Sequence, residues 1–556
     1  MNRLERTDQL LLIAFVAVLA FPLLYASRAL DNNALTSWQW VFRQGSVIEI
    51  FLLVAAVTIV SLPLSGIEPP LRLHTPILFL ASLIAVIPLW NEPEVIVDAS
   101  RYFSQAKHLA LHGPWSFLRE WGGAIGAWTD LPAIPFAYGV AFRYLGESRT
   151  VIQGITTLLF ALTVVSTYRT GRTLVNAETG LLAGLLLLGF PYLLTQVPLM
   201  LVDVPTMALI TFSLDAFLCA ALLGGPLRGL LAVALIVLTV FAKFSTWLML
   251  PVLPLAAFVI VRRGGKAAIR RSIIVLGAAV VVGGTLLAAQ YHVIAAQLDL
   301  LREYQLPGLG RWRESTLSTF FFQIHPFVTL LAAYGVFTAV RKREIVFLVP
   351  ACFVLFVLLL RVERIRYMVP LFPLLALMAA HGLRALSGDE RVRRFTALST
   401  AGASLVLVLF AYLPFLGSTT MANLRDAGSY LDSLPYEAVE VRILPQHRSI
   451  GNTEAAVPLL DLFTRKRIVY RQERQPYPSS RKVLTSPLRF TWELQRPGWY
   501  AGQVDDSGLP LVIISSGDDP FPPQVAGKRF AADTGTFRYR TVLTVIERNA
   551  LARTAQ

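Results

Sequence analysis

Cysteine and charge are what this 556-residue chain has least of. Its two cysteines, Cys219 and Cys352, both sit inside apolar stretches and far apart, which excludes a disulfide-stapled scaffold and leaves the redox compartment open. Charged residues make up 15% of the chain and hydrophobic residues 55%, a balance that excludes a water-soluble protein of this length. Mean hydropathy is +0.58. Acidic residues are the scarcer sign, giving a formal charge of +15. The surplus cations are spread over loops between apolar segments, so membrane topology explains them better than nucleic acid does.

What the chain has in abundance is apolar sequence in blocks of roughly 15 to 22 residues, long enough to cross ~30 Å of hydrocarbon. We read about thirteen transmembrane helices from these blocks. They are Leu10 to Tyr25, Val47 to Leu62, Pro76 to Trp90, Val151 to Tyr168, Gly180 to Leu194, Pro205 to Leu222 and Leu227 to Phe241. Trp247 to Ile260, Ile273 to Ala289, Phe320 to Val340, Ile345 to Leu360, Tyr367 to Leu383 and Thr396 to Leu416 follow. The first block, after Arg3 and Arg6, has the look of a signal peptide, but the many later spans favour an uncleaved anchor. The expected fold class is therefore a polytopic α-helical membrane protein.

Loop charge gives the bundle a direction, because Lys and Arg are retained on the cytoplasmic side. Arg262 to Arg271, Arg341-Lys342-Arg343 and Arg391 to Arg394 all fall on one face, together with Arg3, Arg6, Arg169 and Arg172. The N-terminus is then cytoplasmic in the cell (inner) membrane. Loops Asn91 to Thr150, Thr195 to Val204 and Gln290 to Thr319 lie outside, as does everything after Leu416. The first of these is about sixty residues long, and loops of that size are usually functional. Its half-apolar stretches Arg101 to Leu111 and Pro132 to Leu145, with Trp115, Trp121, Trp128, Tyr138 and Tyr144, suit helices lying in the membrane interface.

After Leu416 the pattern changes to short β-rich runs: Val439 to Leu444, Arg467 to Arg471, Leu511 to Ser515 and Thr541 to Glu547, with a helical stretch at Thr453 to Phe463. This predicts a soluble periplasmic or extracellular α/β domain over 417–556, without a nucleotide-binding glycine fingerprint or metal-ligand spacing. Residues 76–416 form the transmembrane module, with the long outer loop 91–150, and residues 1–75 carry two further spans.

Two carboxylates stand at outer membrane boundaries, Asp98 in Val-Ile-Val-Asp-Ala-Ser-Arg-Tyr and Asp203 in Leu-Val-Asp-Val-Pro. A carboxylate near the bilayer is costly, so it has a partner or a purpose. The plainer account is that each caps the helix that follows it. Arg101, Lys243, Arg364 and Arg366 are the complementary cations, suited to a phosphate at headgroup depth; singly, each is also explained by snorkelling toward ordinary lipid. Lys243 interrupts Val-Phe-Ala-Lys-Phe-Ser-Thr-Trp between two apolar segments. His325 is a weaker candidate, and Asp215, in mid-helix, reads as structural.

In order, these motifs resemble the GT-C integral-membrane glycosyltransferases, particularly protein O-mannosyltransferases and lipid A aminoarabinose transferases. Asp98, Tyr102, Ala106 and Gly113 follow that family's opening pattern, and Arg101 matches the aminoarabinose branch. Pro132 to Gly146, Asp203-Val-Pro, Lys243 followed by Pro251, and Arg366-Tyr-Met-Val-Pro-Leu-Phe-Pro are similar as well. Two departures stand out. Ala99 replaces the Glu of the family's Asp-Glu pair, and Leu131 replaces a lysine of the aminoarabinose branch. The two spans before Pro76 look like an addition to the family core.

The resemblance implies inverting transfer of a sugar from a polyprenyl-phosphate donor to a hydroxyl of a lipid, polysaccharide or protein acceptor at the outer face, among membrane lipids and without nucleic acid. Asp98 would act as base, and Asp203 would orient the acceptor or the sugar. Arg101, Tyr102, Lys243, Arg364 and Arg366 would bind substrate. No cofactor is expected: two carboxylates without His or Cys neighbours make a poor zinc site, although they could still hold Mg or Mn. Two alternatives from other classes are a transporter or lipid flippase with an exported accessory domain, and a membrane-anchored binding protein working through its C-terminal domain.

Overall fold

The computed structural model describes residues 3–94, 98–121, 130–300, 302, 314–344, 364–444, 455–470, 497–501, 508–516, 527–532 and 541–547. Its helices, in chain order, begin with α1 (Arg3–Ala26), α2 (Val47–Leu64), α3 (Leu71–Val86), α4 (Asp98–His112), α5 (Pro114–Glu120), α6 (Ala133–Leu145) and α7 (Arg149–Leu174). Next come α8 (Ala177–Leu187), α9 (Pro191–Gln196), α10 (Asp203–Leu223), α11 (Pro226–Val240), α12 (Val252–Ala289) and α13 (Tyr291–Leu300). The series closes with α14 (Pro326–Arg341), α15 (Phe372–Leu386), α16 (Glu390–Leu407), α17 (Thr420–Ser433) and α18 (Ala456–Phe463).

Among the described residues, eight helices are long and apolar enough to cross a membrane, and four shorter apolar helices join them. The expected span Ile345 to Leu360 lies outside the described residues; the other expected spans fall on helices. One boundary differs. Where a basic loop is expected around Arg262 to Arg271, the helix runs on and breaks only at Gly265, whose φ of 59° lies in the left-handed region that glycine enters without a Cβ penalty.

The ends of the bundle are fixed by ion pairs and carbonyl contacts. Arg6 pairs with Asp389 at 2.5 Å and Arg393 with Glu178 at 2.6 Å, while Arg391 and Arg394 donate to the carbonyls of Leu62 and Ser65. The start of α1, the end of α2, the α7–α8 turn and the start of α16 therefore share one end of the molecule. Asp215, in α10, pairs with Arg169 at 3.0 Å and serves the bundle, as its mid-helix position suggests.

The α1–α2 hairpin docks on the core through Phe21, Trp38, Phe42 and Val54, which pack with Phe322, Tyr412 and Phe415. Its connecting loop is knotted by the buried Asp31, which accepts the amides of Asn33 and Trp38 at 3.1 and 2.7 Å and the side-chain amide of Gln323 at 2.8 Å, and also contacts Ser318.

The C-terminal region forms a five-stranded sheet in the order β2-β1-β3-β5-β4, from β1 (Ala438–Ile443), β2 (Arg467–Tyr470), β3 (Leu511–Ser516), β4 (Lys528–Ala531) and β5 (Thr541–Ile546). β1 runs parallel to β2 and β3, whereas β5 runs antiparallel to β3 and β4. Helices α17 and α18 contribute Leu424, Leu431, Val457 and Leu460 to one core with Val441, Val512 and Leu543 of the sheet. That core continues into Tyr102, Phe103 and Ala106 of α4 and Tyr138 of α6. Helices α4 and α6 and the C-terminal sheet thus share one core.

Candidate active site

Three helix interruptions build the site. The first is the start of α4, which places Asp98 at the helix N-terminus. The second is the break after α11, where the orphan carbonyls left by the helix end need donors. Thr246 Oγ1 donates to the carbonyl of Thr239 at 2.8 Å and Trp247 Nε1 to that of Val240 at 2.8 Å, so the chain turns sharply and presents Lys243 in an extended conformation. The third is the stretch Arg364 to Leu371, where Pro370 and Pro373 hold the chain in short 3₁₀ turns before α15 and Arg366 sits in the first of them. Glu314 accepts the Ile365 amide at 2.8 Å and the Ala34 amide at 3.3 Å, tying this turn to the α1–α2 loop.

These segments bring the predicted residues into one alternating chain of charge. Lys243 Nζ lies 2.6 Å from Asp203 Oδ1, and Arg366 Nε lies 2.7 Å from Asp203 Oδ2. Arg366 Nη1 continues to Asp98 Oδ2. Arg101 Nη2 is 3.7 Å from Asp98 Oδ1. Lys243 also rests 4.6 Å from the centre of the Tyr367 ring, and Arg101 lies 5.3 Å from that of Tyr102. Both oxygens of Asp203 go to cations, and its helix takes no side-chain cap, so capping does not account for this residue.

The two carboxylates differ in access. Asp203 is fully buried, whereas the Asp98 side chain is 34% exposed, with its Oδ1 beyond hydrogen-bond distance of Arg101. Burial pushes the Asp98 carboxyl up, but the guanidinium groups of Arg366, Arg101 and Arg364 outweigh it and hold the group well below the usual carboxylate range. Asp98 is therefore an ionised acceptor at neutral pH, and among the described residues no hydrogen bond reaches its Oδ1. Arg364 is close enough to contribute to this field without joining the Asp98–Arg366–Asp203–Lys243 contacts. His325 caps α14, its Nδ1 accepting the Phe327 amide at 3.3 Å.

Asp130 joins this cluster through Arg101 and is not among the residues singled out from the sequence. Arg101 Nη2 donates to Asp130 Oδ1 at 3.0 Å, and Arg101 Nε lies 2.6 Å from Oδ2. Burial pushes the Asp130 carboxyl up, against the pull of Arg101. The available signal was an acid in the interfacial stretch just before Leu131-Pro132. Among the described residues no three His, Cys, Asp or Glu side chains gather in a way that could hold a metal ion.

Such a site can bind an anion by exchanging carboxylate partners of its cations for phosphate oxygens, and can receive a proton on Asp98. No protein-family model matches the sequence, and no curated protein matches it. Solved structures do match the fold. ArnT from Cupriavidus metallidurans bound to undecaprenyl phosphate is 14% identical with a TM-score of 0.52, the match covering 84% of this chain and 97% of that one. The apo state of the same protein gives 15%, 0.51, 85% and 98%. The Archaeoglobus fulgidus oligosaccharyltransferase complex with Zn and sulfate is 12% identical with a TM-score of 0.44, over 70% of this chain and 62% of that one. At these identities the likeness shows the fold alone: over nearly the whole length of ArnT, this chain shares its architecture.

Proposed function

We propose that this multi-pass membrane protein is a glycosyltransferase that moves a sugar from a polyprenyl-phosphate carrier to an acceptor hydroxyl at the outer face of the membrane, with inversion. The observation that carries this reading is the alternating chain Lys243, Asp203, Arg366, Asp98, with one Asp98 oxygen left open, on a fold like that of ArnT. The acceptor oxygen forms its bond to the anomeric carbon as the bond from that carbon to the phosphate oxygen breaks. The electron pair leaves with the phosphate, and the hydroxyl proton passes to Asp98 Oδ1. Phosphate is a good leaving group, so no strong acid is needed; its charge is met by Arg366, Lys243, Arg101 and Arg364, with Tyr102 in the wall. Asp203, buried between two cations, holds Lys243 and Arg366 in place.

We also propose about thirteen crossings, with the N-terminus cytoplasmic and the C-terminal domain on the far side. The clustering of Arg6, Arg391, Arg393 and Arg394 at one end of the bundle supports that orientation. Catalysis without a metal is part of the proposal, because each site carboxylate already neighbours a resident cation that would repel a divalent one.

The test is transfer from an undecaprenyl-phosphate sugar by purified protein, with and without EDTA. Asp98→Asn should lower turnover by about 10² or more, in the range of general-base catalysis, while undecaprenyl phosphate still binds. EDTA should leave the wild-type rate intact. Near-normal transfer by Asp98→Asn would remove the assignment of the base, and lipid translocation without transfer would instead fit the flippase.

A further inference from the structure

Arg101 lies between two carboxylates and divides itself unequally. It makes a two-point contact with Asp130, at 2.6 and 3.0 Å, yet stays 3.7 Å from Asp98, its neighbour one helical turn back. Asp130 is itself firmly held. Its Oδ2 accepts Gln105 Nε2 at 3.0 Å, and its backbone carbonyl accepts Trp121 Nε1 at 3.0 Å and Gln297 Nε2 at 3.4 Å. Anchors from α4, from the residue after α5 and from α13 thus converge on one residue. Gln105 is buried, and the Arg101 and Asp130 side chains are only 10% and 16% exposed, so water competes little for these contacts.

From this geometry we infer that Asp130 is a positioning residue that restrains Arg101 and so keeps the second oxygen of Asp98 open. A charge-assisted hydrogen bond between guanidinium and carboxylate forms at ~2.7–2.9 Å, so Arg101 stands about one ångström short of closing on Asp98. Released from Asp130, it would close that gap, with Arg366 already on Oδ2. Both Asp98 oxygens would then be engaged and its affinity for a proton would drop. Asp130 does this without touching the reacting atoms. The inference rests on the glycosyl-transfer reading only in giving the open oxygen a use; the restraint itself is a matter of structure.

Two readouts separate these levels. In the transfer assay, Asp130→Asn should lower kcat by about tenfold, a fraction of the general-base contribution, with donor KM unchanged or lower. Added to Arg101→Gln, it should change kcat by less than about twofold, because the group it restrains is gone. Additive losses, or a normal kcat for Asp130→Asn, would overturn the inference. If Asp130→Asn does not fold, Gln105→Leu, which removes one support of Asp130, should show a smaller loss that also vanishes with Arg101→Gln.

The second readout needs no activity. Water-soluble carbodiimide with an amine nucleophile, read by mass spectrometry, reports how open the Asp98 carboxylate is. Labelling should fall about threefold in Asp130→Asn and recover in the double variant, as expected when a guanidinium covers the carboxylate. Unchanged labelling rejects the restraint whether or not the protein transfers sugar, whereas a wild-type protein that labels as expected but transfers nothing rejects the functional reading alone.

Discussion

Asp98 and Asp203 look alike in sequence and differ in the structure, and the difference decides what each can do. A buried carboxylate pinned by two cations cannot be removed cheaply, because both cations are then left uncompensated at low dielectric. Asp203→Ala should therefore destabilise the protein by about 3–5 kcal/mol, the usual cost of breaking a buried pair. Thermal unfolding in detergent followed by size-exclusion chromatography measures it. Asp98→Asn, one-third exposed, should stay close to wild type in the same measurement. An Asp203→Ala variant as stable as the parent would show that Lys243 and Arg366 find other partners.

Charged residues beside apolar blocks are readable in the sequence, and five members of the charged cluster, Asp98, Arg101, Asp203, Lys243 and Arg366, can be chosen from it. Their pairing could not. Asp98 and Arg366 are 268 positions apart, and no local pattern links them. Asp130 was missed because a single acid in a Trp-rich interfacial stretch carries no periodic signal. Its importance comes from Arg101, Gln105, Trp121 and Gln297 converging on it.

At the scale of elements, α4 joins the charged cluster to the C-terminal domain. Asp98, Arg101, Gln105, His108 and His112 recur at alternating intervals of three and four, so one polar stripe runs along the helix from the site. Phe103 and Ala106 pack into the core shared with the sheet, and Lys107 reaches Asp461 at 2.7 Å and Glu147 at 2.9 Å. Tyr500 donates to the same Asp461 carboxylate at 2.6 Å. Replacing Lys107 with Met would leave Asp461 and Tyr500 facing an apolar chain. Lys107→Met should make the C-terminal domain more sensitive to limited proteolysis, read as faster cleavage after Leu416 on a gel; an unchanged digestion rate would mean that the apolar contacts alone hold the domain.

Strands β1, β2, β3 and β5 lie where β-rich runs were expected, because their alternating or wholly apolar sequences match a half-buried or central position. β4, Lys-Arg-Phe-Ala, escaped notice: it is a short edge strand with exposed charges and only one large apolar side chain. Helix α17 escaped for a related reason, since its mixed composition lacks the long apolar run by which the membrane helices were found.

For the whole molecule, orientation is the property most open to experiment. Arg172 and Ser433 are both exposed and lie on opposite sides of the proposed bilayer. A cysteine placed at 433 should react with a membrane-impermeant maleimide in intact cells, and one at 172 only after permeabilisation. The reverse pattern would invert the molecule and move the site to the cytoplasmic face. The hydropathy count and loop charges anticipated a bundle with a separate C-terminal domain. They did not anticipate that α4 and α6 would share one core with that domain, which depends on contacts between segments hundreds of positions apart.

The knot at Asp31 bears on how this protein is made. Its partners Ser318 and Gln323 come 287 and 292 positions later, and Trp38 donates to Tyr412, 374 positions on. At ~5–20 residues per second, a ribosome takes roughly 15–75 s to travel those distances. Until then the chain has not yet made the side chains that hold the loop carboxylate in the finished fold. The loop is thus completed by residues made long after it.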